Sequence, residues 1–153
     1  CGFSMGAMMC SVYGATNPHP KVSRILLFAH YFNLKNHTHA VENSIILHAY
    51  AFQGCIELLH QAEKNFNKTY TKPTSLSDAI RKHILPRRNQ TFTQYLETDS
   101  IDYLNRIQIP TLLVNAKNDP LSPPDLLDQY KSKIHNPNIQ FLITEQGGHL
   151  GWR

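Results

Sequence analysis

Apolar residues in this chain recur in two rhythms. Ile25-Leu26-Leu27-Phe28-Ala29, within Val22 to His30, is a short continuous apolar run of the kind that forms a buried strand. Two similar runs come late. Ile107 to Asn115 has Pro110 at its start and Thr111-Leu112-Leu113-Val114-Asn115 behind it, and Asn138 to Thr144 is centred on Ile139-Gln140-Phe141-Leu142-Ile143. A proline is tolerated at the first position of a strand. Elsewhere the rhythm lengthens. Ala7 to Gly14 predicts a short helix ended by Asn17-Pro18-His19-Pro20. Asn33 to His39 is polar and predicts a loop. Val41 to Phe66 has helical spacing, with Ile45, Ile46, Ala49, Phe52, Ile56 and Leu59 set against Glu57, Gln61 and Lys64, and Gly54 as a candidate break. Asp78 to Leu85 predicts a weak helix stopped before Pro86. Thr93 to Tyr103 and Pro123 to His135 predict two more helices, the second with proline at its start. Strands alternating with helices imply an α/β architecture with a parallel sheet.

Composition adds limits. The chain has 153 residues, one domain's worth or part of a larger one, and 41% hydrophobic against 17% charged residues allows a real core. The net charge of +4 is spread over scattered Lys and Arg residues with no run longer than two and no accompanying aromatic ladder, so no nucleic-acid partner is expected. Cys1, Cys10 and Cys55 form neither a C-x-x-C pair nor a zinc spacing, and their odd number argues against a disulfide framework. Asn36-His37-Thr38, Asn67-Lys68-Thr69 and Asn89-Gln90-Thr91 match the glycosylation acceptor pattern, which carries weight only for a secreted chain. No apolar run reaches membrane-spanning length and no signal peptide is visible. The chain opens on Cys1 and stops at Arg153, four residues past His149. The expectation is therefore a fragment of a longer protein, without the strand that should precede its first motif.

That motif is Gly2-Phe3-Ser4-Met5-Gly6, a G-x-S-x-G sequence. In a nucleophile elbow the serine sits on a sharp strand-to-helix turn, with glycines keeping side chains clear of strand and helix. The helix behind Ser4 offers free backbone N–H groups, and that of Met5 is the candidate oxyanion donor. Asp119 directly follows the strand Thr111 to Asn115, and the tips of parallel strands are where open sheets place functional groups. His149 follows the next strand, beside Gly147 and Gly148. The order Ser4, Asp119, His149 is that of α/β-hydrolases. Such a triad has a nucleophile, a base that takes its proton, and a carboxylate that holds the imidazole tautomer. Other side chains read as structural. His30, His37, His39 and His48 lack a carboxylate or cysteine that would complete a metal site. Asp125 and Asp128 read as charges of a helix's first turns, and Cys10 and Cys55 as core. Met5, Met8 and Met9 read as packing under the elbow or as a lining for an acyl chain.

Gly2 to Gly6, the stretch Ile109 to Pro123 with its N-A-x-x-D-P core, and Gly147-Gly148-His149-Leu150-Gly151-Trp152 together resemble the α/β-hydrolase family of YheT-like proteins and the abhydrolase-domain types 1, 2 and 3. The resemblance covers the C-terminal part of the family's domain. It implies an α/β-hydrolase fold lacking its N-terminal strands and final helix, with a helical cap or insert over residues 41–103. It also implies a serine esterase of acylglycerol or short-chain esters, with Ser4 as nucleophile, Asp119 as orienting acid, His149 as base and no cofactor. The absent N-terminal half would carry the second oxyanion donor and, in animal members, a membrane anchor; otherwise a cytoplasmic enzyme is expected. The alternative is a catalytically inactive remnant that acts as a partner-binding fragment.

Overall fold

A computed structural model describes every residue except Lys68, Gln90, Thr98, Pro123 and Arg153, together with all their side chains but those of His37, Ala40, Leu47, His48, Tyr50, Ile84, Arg87 and Arg88. The elements run β1 (Gly2–Phe3), α1 (Met5–Thr16), β2 (Ile25–Phe28), α2 (Leu34–Glu42), α3 (Ile45–Phe66), α4 (Leu76–Ala79), a π-helical turn (Ile80–Ile84), α5 (Leu85–Arg88), α6 (Phe92–Leu96), α7 (Ile101–Arg106), β3 (Thr111–Ala116), α8 (Pro124–Lys131) and β4 (Ile139–Thr144). The four strands form one sheet in the order β1-β2-β3-β4, parallel throughout.

The chain divides into two compact units. The first, Cys1–Asn33 with Asp99–Arg153, holds the sheet. One face of the sheet carries the core, in which Leu27 and Leu113 meet Ala7 of α1, Leu104 of α7, and Leu127 and Tyr130 of α8. β3 is buried at five of its six positions, as the continuous apolar run requires. On β2 and β4 burial is one-sided: Leu27 is buried while Leu26 is 40% exposed, and Leu142 is 49% exposed. The second unit, Leu34–Thr98, is helical and lies in sequence between β2 and β3.

Several local expectations change. The first two residues of the motif are themselves a short strand: Gly2 and Phe3 pair with Leu27 and Phe28, over a length too short to leave a periodic signal. The stretch expected as a loop at 33–39 is the start of α2. Leu34, Thr38 and Val41 bury a narrow stripe at i, i+4 and i+7, which the polar residues between them mask. Gly54 does not interrupt α3. Helical structure also continues through Pro86. A wide π turn comes just before it, where the missing N–H and the pyrrolidine ring would disrupt a regular ladder. The helix expected over Thr93 to Tyr103 is two, α6 and α7. At the start of α7 the N–H and hydroxyl of buried Ser100 both donate to Phe32 O, at 2.9 and 3.0 Å. The last helix, α8, ends at Lys131 rather than His135, and the expected proline start at Pro123 lies outside the described residues.

Candidate active site

The site starts with a turn that one glycine makes possible. β1 runs into α1 through Ser4, whose φ of 52° and ψ of −121° place a non-glycine residue in a strained region. The Ser4 N–H donates to Phe28 O at 2.9 Å, while Ser4 O accepts from Ala7 N–H at 3.0 Å. Sheet and helix thus hold the turn from both sides. A Cβ on Gly2 would lie 2.4 Å from Gly6 O and 2.7 Å from Ala7 Cα, so strand and helix approach as closely as they do only because Gly2 has none. Gly6 differs from the sequence reading: a Cβ there meets nothing within 4 Å, so steric relief does not require glycine at that end of the motif. Met5 occupies the first helical position, whose N–H has no acceptor within the helix. Met8 is buried, whereas Met5 and Met9 are exposed, and the hydroxyl of buried Tyr31 donates to Met5 Sδ.

The acid and the imidazole come from the loops after β3 and β4. Asp119 is 1% exposed. Its Oδ1 accepts from Leu121 N–H at 2.8 Å, which fixes the carboxylate plane, and its Oδ2 lies 2.9 Å from His149 Nδ1. His149 Nε2 lies 2.8 Å from Ser4 Oγ. Carboxylate, imidazole and hydroxyl thus form one hydrogen-bonded line, and all three residues belong to the sheet-bearing unit. With Nδ1–H donating to Asp119, Nε2 is left to accept the Ser4 hydroxyl proton.

The His149 loop has its own internal logic. Gly147 and Gly148 have φ of 151° and 53°. A Cβ on Gly147 would lie 2.4 Å from the Trp152 indole. Trp152 donates through Nε1 to Thr144 Oγ1 at 2.9 Å and meets the Phe28 ring edge-on at 6.1 Å. Gly151 N–H closes the turn on Gly147 O at 2.6 Å. The G-G-H-x-G-W spacing is therefore a compact turn capped by an indole, with the imidazole projecting from it.

His30, grouped with other histidines in the sequence, is fully buried beneath this edge of the sheet. Its Nε2 is 3.4 Å from Ser11 Oγ, its ring packs against Phe32 at 4.9 Å, and its carbonyl accepts from Asn115 Nδ2 at 3.1 Å. Burial pushes its pKa from 6.5 down to about 3, so the ring is neutral. Among the described residues no group of three or more His, Cys, Asp or Glu side chains could hold a metal ion, and the side chains of His37 and His48 lie outside those described. Among them, too, no helix is long and apolar enough to cross a membrane.

The chain belongs to the alpha/beta hydrolase fold family, whose model matches residues 26–151. Human monoacylglycerol lipase ABHD2 is 42% identical over 59 residues, covering 38% of this chain and 14% of that protein. The putative esterase YheT of Escherichia coli is 34% identical over 58 residues, covering 38% of this chain and 16% of that protein. Among solved structures, the Pyrococcus furiosus esterase Pf2001 superposes with a TM-score of 0.53 at 16% identity, over 95% of this chain and 43% of that one. Acetyl xylan esterase 1 from Thermoanaerobacterium gives 0.53 at 15% identity, over 99% and 40%. The chain thus spans less than half the length of each of these structures, and the likeness is one of fold.

Proposed function

We propose that this chain carries the catalytic triad of a serine hydrolase that cleaves carboxylic esters, with Ser4 as nucleophile, His149 as general base and Asp119 as the carboxylate that orients it. The observation that carries the reading is the unbroken line Asp119 Oδ2–His149 Nδ1 and His149 Nε2–Ser4 Oγ, at 2.9 and 2.8 Å, built on a strained serine. In the first half-reaction His149 Nε2 takes the Ser4 proton as Oγ bonds to the ester carbonyl carbon. The carbonyl oxygen becomes an oxyanion that accepts from Met5 N–H. Collapse breaks the carbonyl carbon–alkoxy bond, and His149 gives its proton to the departing alcohol, leaving Ser4 acylated. Water, deprotonated by His149, then attacks the acyl carbon; the acyl carbon–Ser4 Oγ bond breaks, His149 returns its proton to Oγ, and the acid leaves.

Acylglycerols or short-chain esters are the proposed substrates. The names of ABHD2 and YheT, monoacylglycerol lipase and putative esterase, support that class. Exposed Met5 and Phe3, beside the nucleophile, offer apolar surface to an acyl group. A fluorophosphonate probe tests the reading: labelling at Ser4, absent in Ser4→Ala, is expected, and a folded chain that resists labelling refutes it.

A second reading, an inactive chain that binds a partner, draws on the apolar side chains open on the sheet and α1, among them Leu26, Leu142 and Met9. It predicts self-association or complex formation without ester turnover. Ordinary turnover by a monomer in analytical ultracentrifugation would exclude it.

A further inference from the structure

Asp119 and His149 sit on separate loops, and something has to keep those loops in step. The parallel ladder of β3 and β4 ends with Ala116 opposite Thr144, and Lys117 N–H extends it by donating to Thr144 O at 2.8 Å. Beyond that point side chains continue the pairing. Lys117 meets Glu145 in a solvent-exposed ion pair, which contributes little restraint. Asn118 then spans the gap twice. Its Oδ1 accepts from Gly148 N–H at 2.8 Å, and its Nδ2 donates to Gln146 Oε1 at 2.8 Å. The next pair in the series is Asp119 with His149.

Resting on the triad reading above, we propose that Asn118 is a positioning residue: it clamps the Gly147–Gly148 peptide, at the start of the turn that carries His149, and so helps set the imidazole between Asp119 and Ser4. Two consecutive glycines precede His149, and both have positive φ. Such a segment has more backbone freedom than any other dipeptide. The Gly148 N–H held by Asn118 belongs to the Gly147–Gly148 peptide, whose carbonyl end Gly151 N–H holds at 2.6 Å, so the bond ties to β3 the turn from which the imidazole projects. Asn118 and its two bonds lie at the exposed rim. Water replaces them when they are lost, so the fold's stability changes little and the restraint is what disappears.

The experiment compares the unsubstituted chain with Asn118→Ala and Asn118→Asp. Aspartate keeps an acceptor for Gly148 N–H, and the Gln146 amide turns to donate to it. The first readout is the exchange rate of the low-field proton on His149 Nδ1, identified by its loss in His149→Gln. At least tenfold faster exchange is expected in Asn118→Ala, with recovery in Asn118→Asp and thermal melting unchanged in both. The second is the rate of Ser4 labelling by a fluorophosphonate, expected to fall about 10- to 100-fold in Asn118→Ala, the scale of a misplacement near 1 Å, and to recover in Asn118→Asp. Where the probe labels Ser4, kcat for a short-chain ester falls by the same factor with KM unchanged. Equal proton exchange in Asn118→Ala, or no such signal in the unsubstituted chain, overturns the role of Asn118. A protected proton that depends on Asn118, in a chain that never labels, overturns the nucleophile reading and leaves the positioning role standing.

Discussion

Acidification should destabilise this fold through one residue, His30. In the folded chain burial pushes its pKa from 6.5 to about 3. Its ring faces Ser11 Oγ and the Phe32 ring, and its Nδ1 is buried with no hydrogen-bond partner among the described residues. The unfolded chain accepts a proton near pH 6.5 that the folded chain refuses until about pH 3. Between those values the unfolded state binds more protons, so stability rises with pH and is lost on acidification. At about 1.36 kcal/mol for each tenfold change in proton affinity, the ceiling is ~5 kcal/mol, reached near pH 3. At pH 5 the loss from this residue is ~2 kcal/mol, and at pH 7.5 it is under ~0.1 kcal/mol. Against a marginal total stability, ~2 kcal/mol is a large fraction. The assay is urea unfolding followed by Trp152 fluorescence at pH 7.5 and pH 5 for the unsubstituted chain and for His30→Gln, which cannot titrate. With a urea dependence of ~2 kcal/mol per molar, the midpoint of the unsubstituted chain should fall ~1 M further than that of the variant. Midpoints that fall in parallel would refute the assignment of the acid sensitivity to His30.

The two glycines of the elbow should behave oppositely. Gly2→Ala drives a Cβ against backbone atoms of α1 and should cost ~3 kcal/mol or more, whereas Gly6→Ala meets open space and should leave the urea midpoint nearly unchanged. Equal effects would contradict the close approach of β1 and α1. Asp119→Asn should keep the fold but lower kcat about 10⁴-fold for any ester the chain turns over, because the amide favours the wrong imidazole tautomer; a loss below tenfold would remove Asp119 from the proposed triad. Leu113→Ala, at a fully buried position in the middle of β3, should destabilise by about 2–5 kcal/mol with no change in m, measured by the same unfolding curves.

The elements most legible in the sequence are those whose signal is local and dense. Leu112-Leu113-Val114 is a dense apolar stretch because β3 is buried at five of its six positions, on both faces. The order of Ser4, Asp119 and His149 marked three strand tips. Legibility was lost where burial is sparse or where distant chain decides. Among the described side chains of α2 the buried ones are Leu34, Thr38 and Val41, a narrow stripe whose polar surroundings read as loop. A two-residue strand such as β1 has no period to detect, and its existence depends on the edge that β2 offers. The start of α7 is tied to Phe32, 68 positions before Ser100.

Residue types and their order were enough to propose a chemistry for the candidate site, because nucleophile, base and acid are properties of side chains and a strand–turn–helix serine has a local signature. Which groups meet was decided only by tertiary structure. Ser4 and His149 are 145 positions apart yet lie in hydrogen-bond contact, since a parallel sheet gathers the C-terminal ends of its strands at one edge. The same gathering buried His30 until it lost its basicity and set Asn118 against Gly148. Neither effect is visible along the chain, because desolvation and register are properties of what folds over a residue rather than of the residue itself.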